Sequence, residues 1–410
     1  MTRRWCARLP VAFVAPALAL AILASPAAAS PAVGIWRVLE PLNPRAHTVS
    51  NTFFTGVSAT SATDAWTVGI AMLSNAFQHP LVEHWDGQQW KGMRVPEPAG
   101  RQSWFQGVKA LSPTNAWAVG VSSDPQFTNQ DERTLIEHWD GTSWSIVPSP
   151  NPELGPGAAD VLTAIDGLGP NDLWASGWTL DSGGSTIGML FVHWDGTRWT
   201  AARSPTPPGG AQFAVAIHEF AADDAWAVGN DQGGFGGKTI AAHWDGHAWS
   251  DVETPGLNDG IAPQNFLTGV SGLSGDDVWV SGYEGNVDQR NFMKPYLLHW
   301  DGSSWTLMLA PNKGGEGSRL NATVALSSDD VWAVGQTQEL NGSILTLTEQ
   351  WDGTAWTIVP SPSPGQIGRL INSSLNSVTA PGGGYLLTTG ARELPNQCCL
   401  RTLALDTTSG

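Results

Sequence analysis

One phrase returns six times along this chain, and nothing else in the sequence limits the fold so tightly. It reads apolar-x-G-V-x-A, a polar link, D-x-W-x-V-G, a variable loop, then H-W-D-G-x-x-W. Its first Trp stands at Trp66, Trp117, Trp174, Trp226, Trp279 and Trp332, at spacings of 51, 57, 52, 53 and 53 residues. Its later pair stands at Trp85/Trp90, Trp139/Trp144, Trp194/Trp199, Trp244/Trp249, Trp300/Trp305 and Trp351/Trp356, so the repeat accounts for eighteen of the 22 Trp. A period of this size describes like units that bury their faces against one another.

Each phrase decodes into four short strands. The V-S-A and A-W-A-V-G runs are apolar and β-branched and are bounded by polar turn residues such as Ser327-Ser328-Asp329-Asp330, the pattern of a hairpin. The Asp or Asn two places before each motif Trp (Asp64, Asn115, Asp172, Asp224, Asp277, Asp330) suits a turn residue that caps its own backbone. A third strand, Thr134–Trp139 in one repeat, ends in Asp140-Gly141, which reads as a two-residue hairpin turn. A fourth, Trp144–Val147, runs into Pro148-Ser149-Pro150 and stops there.

Both ends of the chain fit the repeat. Leu375–Ala380 and Leu386–Gly390 keep the register with Leu387 in the Trp slot, and Leu400–Asp406 supplies a third strand of a seventh, degenerate repeat. Its missing fourth strand matches the N-terminal Trp36-Arg37-Val38-Leu39-Glu40-Pro41, which follows the pattern of Trp144–Ser149. The expectation is an all-β fold over residues 30–410. It is a single seven-bladed β-propeller of four-stranded antiparallel blades, whose last blade combines about 374–410 with the strand about 35–40 and leaves no open edge.

Phrases such as Val331-Trp332-Ala333-Val334-Gly335, Gln350-Trp351-Asp352-Gly353 and Trp356-Thr357-Ile358-Val359-Pro360 resemble kelch-type propellers, similar to the central domain of galactose oxidase. They are most similar to secreted bacterial propellers with the same H-W-D-G-x-x-W phrase, a resemblance that implies a fold and no particular activity. The axial His, Tyr and crosslinked Cys that a galactose-oxidase copper site requires have no counterpart here, and the Ser-x-Asp-x-Gly-x-Thr-Trp signature of sialidases is absent.

Residues 1–29 have the layout of a secretory signal: Arg3 and Arg4 at the start, an apolar run from Leu9 to Leu23, and Ala27-Ala28-Ala29 before Ser30. They predict export with cleavage near Ala29. The run, interrupted by Pro10 and Pro16, falls short of a membrane span. With 20 basic and 37 acidic residues the chain offers no basic stripe for nucleic acid. Cys398 and Cys399 are adjacent near the C-terminus and make no disulfide framework, so the fold rests on its core. One chain closes the ring, and a monomer is expected.

Two sets of residues stand out. His84, His138, His193, His243 and His299, with Gln350 in the sixth repeat, lie too far from the axis to converge on one ion, so they read as ties from blade to blade, with no metal or cofactor expected. On the innermost strand the position eight before the motif Trp is Ser58, Lys109, Asp166, His218, Ser271, Val324 and Thr379. Lys109, Asp166 and His218, with the neighbouring acid Glu219, are the catalytic candidates if paired carboxylates cleave or eliminate at a sugar, as in a glycosidase or lyase. Salt bridging between blades explains the same residues.

Loop lengths give the alternative. The turns between strands one and two, and three and four, are short and uniform; the other connections, which emerge on the opposite face, are long and varied, and such loops carry recognition. Trp104 and Trp178 fall outside the repeat slots and suit stacking on a sugar face, with Tyr283, Arg290 and Arg319 as polar contacts. A binding module for glycan or protein is the preferred reading, and a carbohydrate-active enzyme the alternative.

Overall fold

The computed structural model describes residues 36–407 except 43–48, 74–76, 126–130, 153–156, 182–186, 203, 206–210, 232–236, 258–262, 287–292, 314–316, 366–369 and 394–399. The signal segment, Arg290 and both Cys398 and Cys399 lie outside the described residues, as do the middles of most long loops.

Among the described residues, twenty-eight strands form seven antiparallel sheets of four, arranged as a propeller. The inner strands are Val49–Ser61, Gln102–Ser112, Ala159–Gly169, Gln212–Ala221, Pro263–Ser274, Gly317–Ser327 and Ser373–Gly382. In the seventh blade Trp36–Leu39 pairs with Leu400–Thr407 as the outer strand, with Trp36 opposite Thr407. Arg37 clamps this closure through Nε and an Nη on the Asp406 carboxylate at 2.6 and 2.8 Å. Leu42 N then donates to Glu83 of the first blade at 3.0 Å.

The second strand of each blade is packed on both faces, which explains its nearly unbroken apolar run (Asp64–Leu73 is buried through Ala71). The motif Trp projects from it into the next blade. Trp174 lies 4.9 Å from Trp244 and 5.3 Å from Trp249 of the following blade, and Trp66, Trp117, Trp226 and Trp279 repeat the arrangement. These five motif rings are fully buried, so each of these five seams is a cage of three indoles.

Two local expectations change. The histidines do not tie one blade to the next: His84 stacks on Trp66 of its own blade at 4.3 Å, and its Nε2 lies 2.7 Å from Asp64. The Asp before the motif Trp therefore engages the third-strand His rather than capping its own turn, and the pair braces the indole that crosses the seam. The Asp-Gly turn is longer than two residues as well. Trp85 pairs with Trp90 across a four-residue loop, in which Asp86 Oδ1 accepts from Gln88 N and Gln89 N while Gly87 takes φ +88°.

Every inner strand carries a bulge that the sequence pattern did not announce. The register slips between Phe54 and Gly56, Phe105 and Gly107, Leu162 and Ala164, and at the matching place in the other four blades. The slip pushes an inner-strand carbonyl against the Gly of D-x-W-x-V-G. A Cβ on Gly69 would lie 2.1 Å from Phe53 O, and one on Gly229 only 1.8 Å from Phe213 O. Close approach of backbone fixes that glycine. The extra residue of the bulge turns to the neighbouring blade: Thr55, Thr163 and Thr268 donate through Oγ1, and Asn321 and Asn376 through Nδ2, to a carbonyl of the next inner strand at 2.7–2.9 Å. Asn376 to Phe54 closes the ring. Val215 has no donor, and there Asn230 of the second strand holds Leu267 N and O instead.

Candidate functional site

The seven inner strands enclose an axial cavity of about 430 Å³. Its ionisable lining residues are Lys109, Asp166 and His218, on three consecutive blades. Asp166 is their hub. It accepts from Lys109 Nζ, has His218 Nδ1 at 2.7 Å, and takes the backbone N of Glu219 at 3.1 Å. Burial alone would raise this carboxyl, but the Lys109 ammonium and then His218 outweigh it and hold Asp166 well below the usual carboxylate range. The cluster therefore stitches the second, third and fourth blades together from the inside.

Glu219 is one residue further along its strand than His218 and points away from the cavity, as strand alternation requires. It is buried, and burial, with the nearby charges of Asp172 and Asp166, pushes it up to about 8. Asp166 and Glu219 thus do not face one another across the channel. The inner strand of the third blade begins earlier than its apolar phrase and so carries a further acid, Asp160, fully buried and bonded by Thr179 Oγ1 at 2.6 Å.

The second assembly of candidate residues sits at the long-loop end of the blades. Just before each bulge, thirteen places ahead of the motif Trp, stand Phe53, Trp104, Val161, Phe213, Phe266, Arg319 and Ser374. Their cross-strand partners are Ile70, Val121, Trp178, Asn230, Tyr283, Gln336 and Ala391. At this one level, blades one to five each present an aromatic ring. Where the inner strand has Val161, the second strand supplies Trp178. Phe53, Trp104, Trp178, Phe213, Phe266 and Tyr283 are all half-buried, unlike the enclosed indoles of the seams. Trp178 meets Phe213 of the next blade edge-on at 5.5 Å, and Tyr283 stacks on Phe266 at 4.9 Å. The sixth blade has Arg319, whose Nη2 donates to Gln336 Oε1 at 3.1 Å.

Four of the five binding candidates, Trp104, Trp178, Tyr283 and Arg319, therefore occupy one tier of the rim. Sequence reasoning missed Phe53, Phe213 and Phe266, although counting back thirteen places from each motif Trp finds them.

No family model matches the chain, and no curated protein sequence does. Solved structures do. The chain is similar to YCF48 solved bound to D1 peptide, at 14% identity over 92% of this chain and 98% of that one, with a TM-score of 0.50. An ulvan lyase of a new polysaccharide lyase family, PL25, matches at 7% identity over 88% and 95%, with a TM-score of 0.51. A protein of unknown function from Dyadobacter fermentans DSM 18053 matches at 10% identity over 92% and 99%, with a TM-score of 0.50. At such identities the likeness is one of fold.

Proposed function

We propose that this protein is an exported binding module that takes a glycan along its long-loop rim. The observation that carries the reading is the crescent of half-buried rings on five consecutive blades, at a slot where the ring's own packing demands no aromatic. Side chains such as Trp104 and Trp178 offer flat apolar faces that match the C–H faces of sugar rings, and stacking of this kind needs no charge on the ligand. Export rests on the layout of residues 1–29. Of the structural neighbours above, one was solved with a bound peptide and another with a bound saccharide, so propellers of this fold hold ligands of both kinds.

The test is a glycan array probed with residues 30–410, followed by Trp104→Ala and Trp178→Ala. Binding that falls more than about tenfold in either variant supports the reading; glycan binding that survives both substitutions, or no binding to any glycan, refutes it. The enzymatic alternative rests on Asp166 as the one carboxylate on the channel wall among the described residues. It requires that Asp166→Asn abolish a hydrolytic or eliminative activity that the unaltered chain displays.

A further inference from the structure

We infer that the saccharide is anionic, and that Arg319 is the residue that recognises its charge; this rests on the rim reading above. In the sixth blade Arg319 occupies the slot that holds Phe53, Trp104, Phe213 and Phe266 elsewhere. It is half-buried. Its one hydrogen bond goes to the neutral Gln336 amide, its Nε is enclosed without a partner, and among the described residues no carboxylate lies within ion-pair distance. Four other guanidinium groups are paired with acids. Arg37 pairs with Asp406, Arg101 and Arg133 with Asp131, and Arg392 with Glu40.

The chain carries 37 acidic against 20 basic residues, yet no described carboxylate pairs with this guanidinium. Withdrawn partly from water and unpaired, it lacks the charge-assisted bonds that its planar fork is shaped to make. The Gln336 carbonyl anchors one arm of that fork. The adjoining fifth blade presents the stacked Phe266–Tyr283 pair at the same level. A flat surface beside a fixed cationic fork fits an oligosaccharide in which one ring stacks and a neighbouring ring carries a carboxylate or a sulfate ester. The overall negative charge of the protein opposes adventitious polyanion binding, so any such preference has to be made locally.

The experiment is affinity electrophoresis of residues 30–410 through gels containing polygalacturonate, dextran sulfate or unmodified dextran. Retardation by polygalacturonate or dextran sulfate, lost by about tenfold or more in Arg319→Gln and partly regained in Arg319→Lys, supports the inference. Polygalacturonate and dextran sulfate distinguish a carboxylate from a sulfate ligand. Retardation by dextran alone, or anionic binding unchanged in Arg319→Gln, overturns the inference and leaves the rim reading standing if Trp104→Ala abolishes it. A chain that binds no glycan on gel or array overturns both. Arg319→Gln keeps a polar, uncharged side chain in the slot, and a melting curve matching that of the unaltered chain shows that lost retardation is not lost folding.

Discussion

The tryptophans of the seams and the aromatics of the rim are the same kind of side chain in two different situations. In the seams the slot is Trp in six blades, and each ring is buried and flanked by a third-strand His, or Gln350 in the sixth blade, bonded to the Asp or Asn two places before the ring. At the rim the slot is Phe, Trp, Val, Phe, Phe, Arg and Ser in turn, and the rings are half-buried. The inner-strand bulge joins the two regions. It forces glycine at one position of the second strand in every blade, because the carbonyl beside the rim slot sits where a Cβ would be, yet it leaves the rim side chain itself free. A ring that repeats its seam geometry seven times must repeat the residues that make it. The rim escapes that demand and can be shaped for a ligand.

The largest effect expected comes from the seam that departs most from the pattern. Deleting residues 30–42 removes the outer strand of the seventh blade and with it Trp36, the indole facing Trp332 across the seam at 5.9 Å. It also strips Arg37 from Asp406, a fully buried carboxylate, and an uncompensated buried charge is strongly destabilising. The truncated chain should lose its cooperative melt under conditions where the intact chain is folded. A truncation that melts like the full ring would overturn closure by this strand.

Next comes Trp226→Ala, in an interior seam. The ring is enclosed and packs on Trp300 and Trp305, so truncation leaves a large cavity and should cost about 3–5 kcal/mol. Chemical denaturation measures it. The comparison between seam and rim fails if this variant is no less stable than the corresponding rim variant.

A pH dependence should belong to the scaffold as well. Glu83, Glu137 and Glu349 are fully buried on third strands, and burial pushes each up to about 8. Glu83 has Leu42 N as a donor, whereas six places after Trp90 and Trp305 the chain has Pro96 and Pro311, which carry no N–H. Because the folded value lies above the ordinary 4.5, the native state holds these protons when the unfolded chain has released them. Their contribution to stability is therefore greatest below about 4.5, falls as pH rises towards 8, and levels off above it. Thermal melts from pH 5 to 8 should show the decline, and Glu349→Gln should flatten part of it. An unchanged slope in that variant would remove Glu349 from the account.

The blades, their number, their order and the closing strand were legible because the seams impose a sequence on every repeat. Leu387 in a Trp slot and Trp36 at the far end of the chain were enough to complete the count. The bulge was not legible: its extra residue is Thr, Gln, Val or Asn, and what it does depends on a carbonyl in the next blade. Nor was the His–Asp pairing, since third and second strands meet only after folding. At the candidate site, Trp104 and Trp178 stood out as tryptophans beyond the repeat, whereas Phe53, Phe213 and Phe266 looked like ordinary strand residues. Counting back thirteen places from each motif Trp aligns them, but that this slot lies on the rim, level with Trp178 of the second strand, appears only in the register of the strand pairs.

The smallest effect on stability should come from the rim itself. Trp104 is half-buried and faces no cage of indoles, so Trp104→Ala gives up only part of the burial that a core ring contributes, about 1 kcal/mol or somewhat more. Trp178→Ala should cost slightly more, because it also removes the edge-on contact to Phe213 across the blade boundary. Both should stay well short of Trp226→Ala in denaturant midpoint while the slope of the transition is unchanged. The order Trp226, then Trp178, then Trp104 follows from enclosure alone and needs no knowledge of the ligand. If Trp104→Ala proves as costly as Trp226→Ala, the rim ring is part of the scaffold, and a loss of glycan binding in that variant would report unfolding rather than recognition.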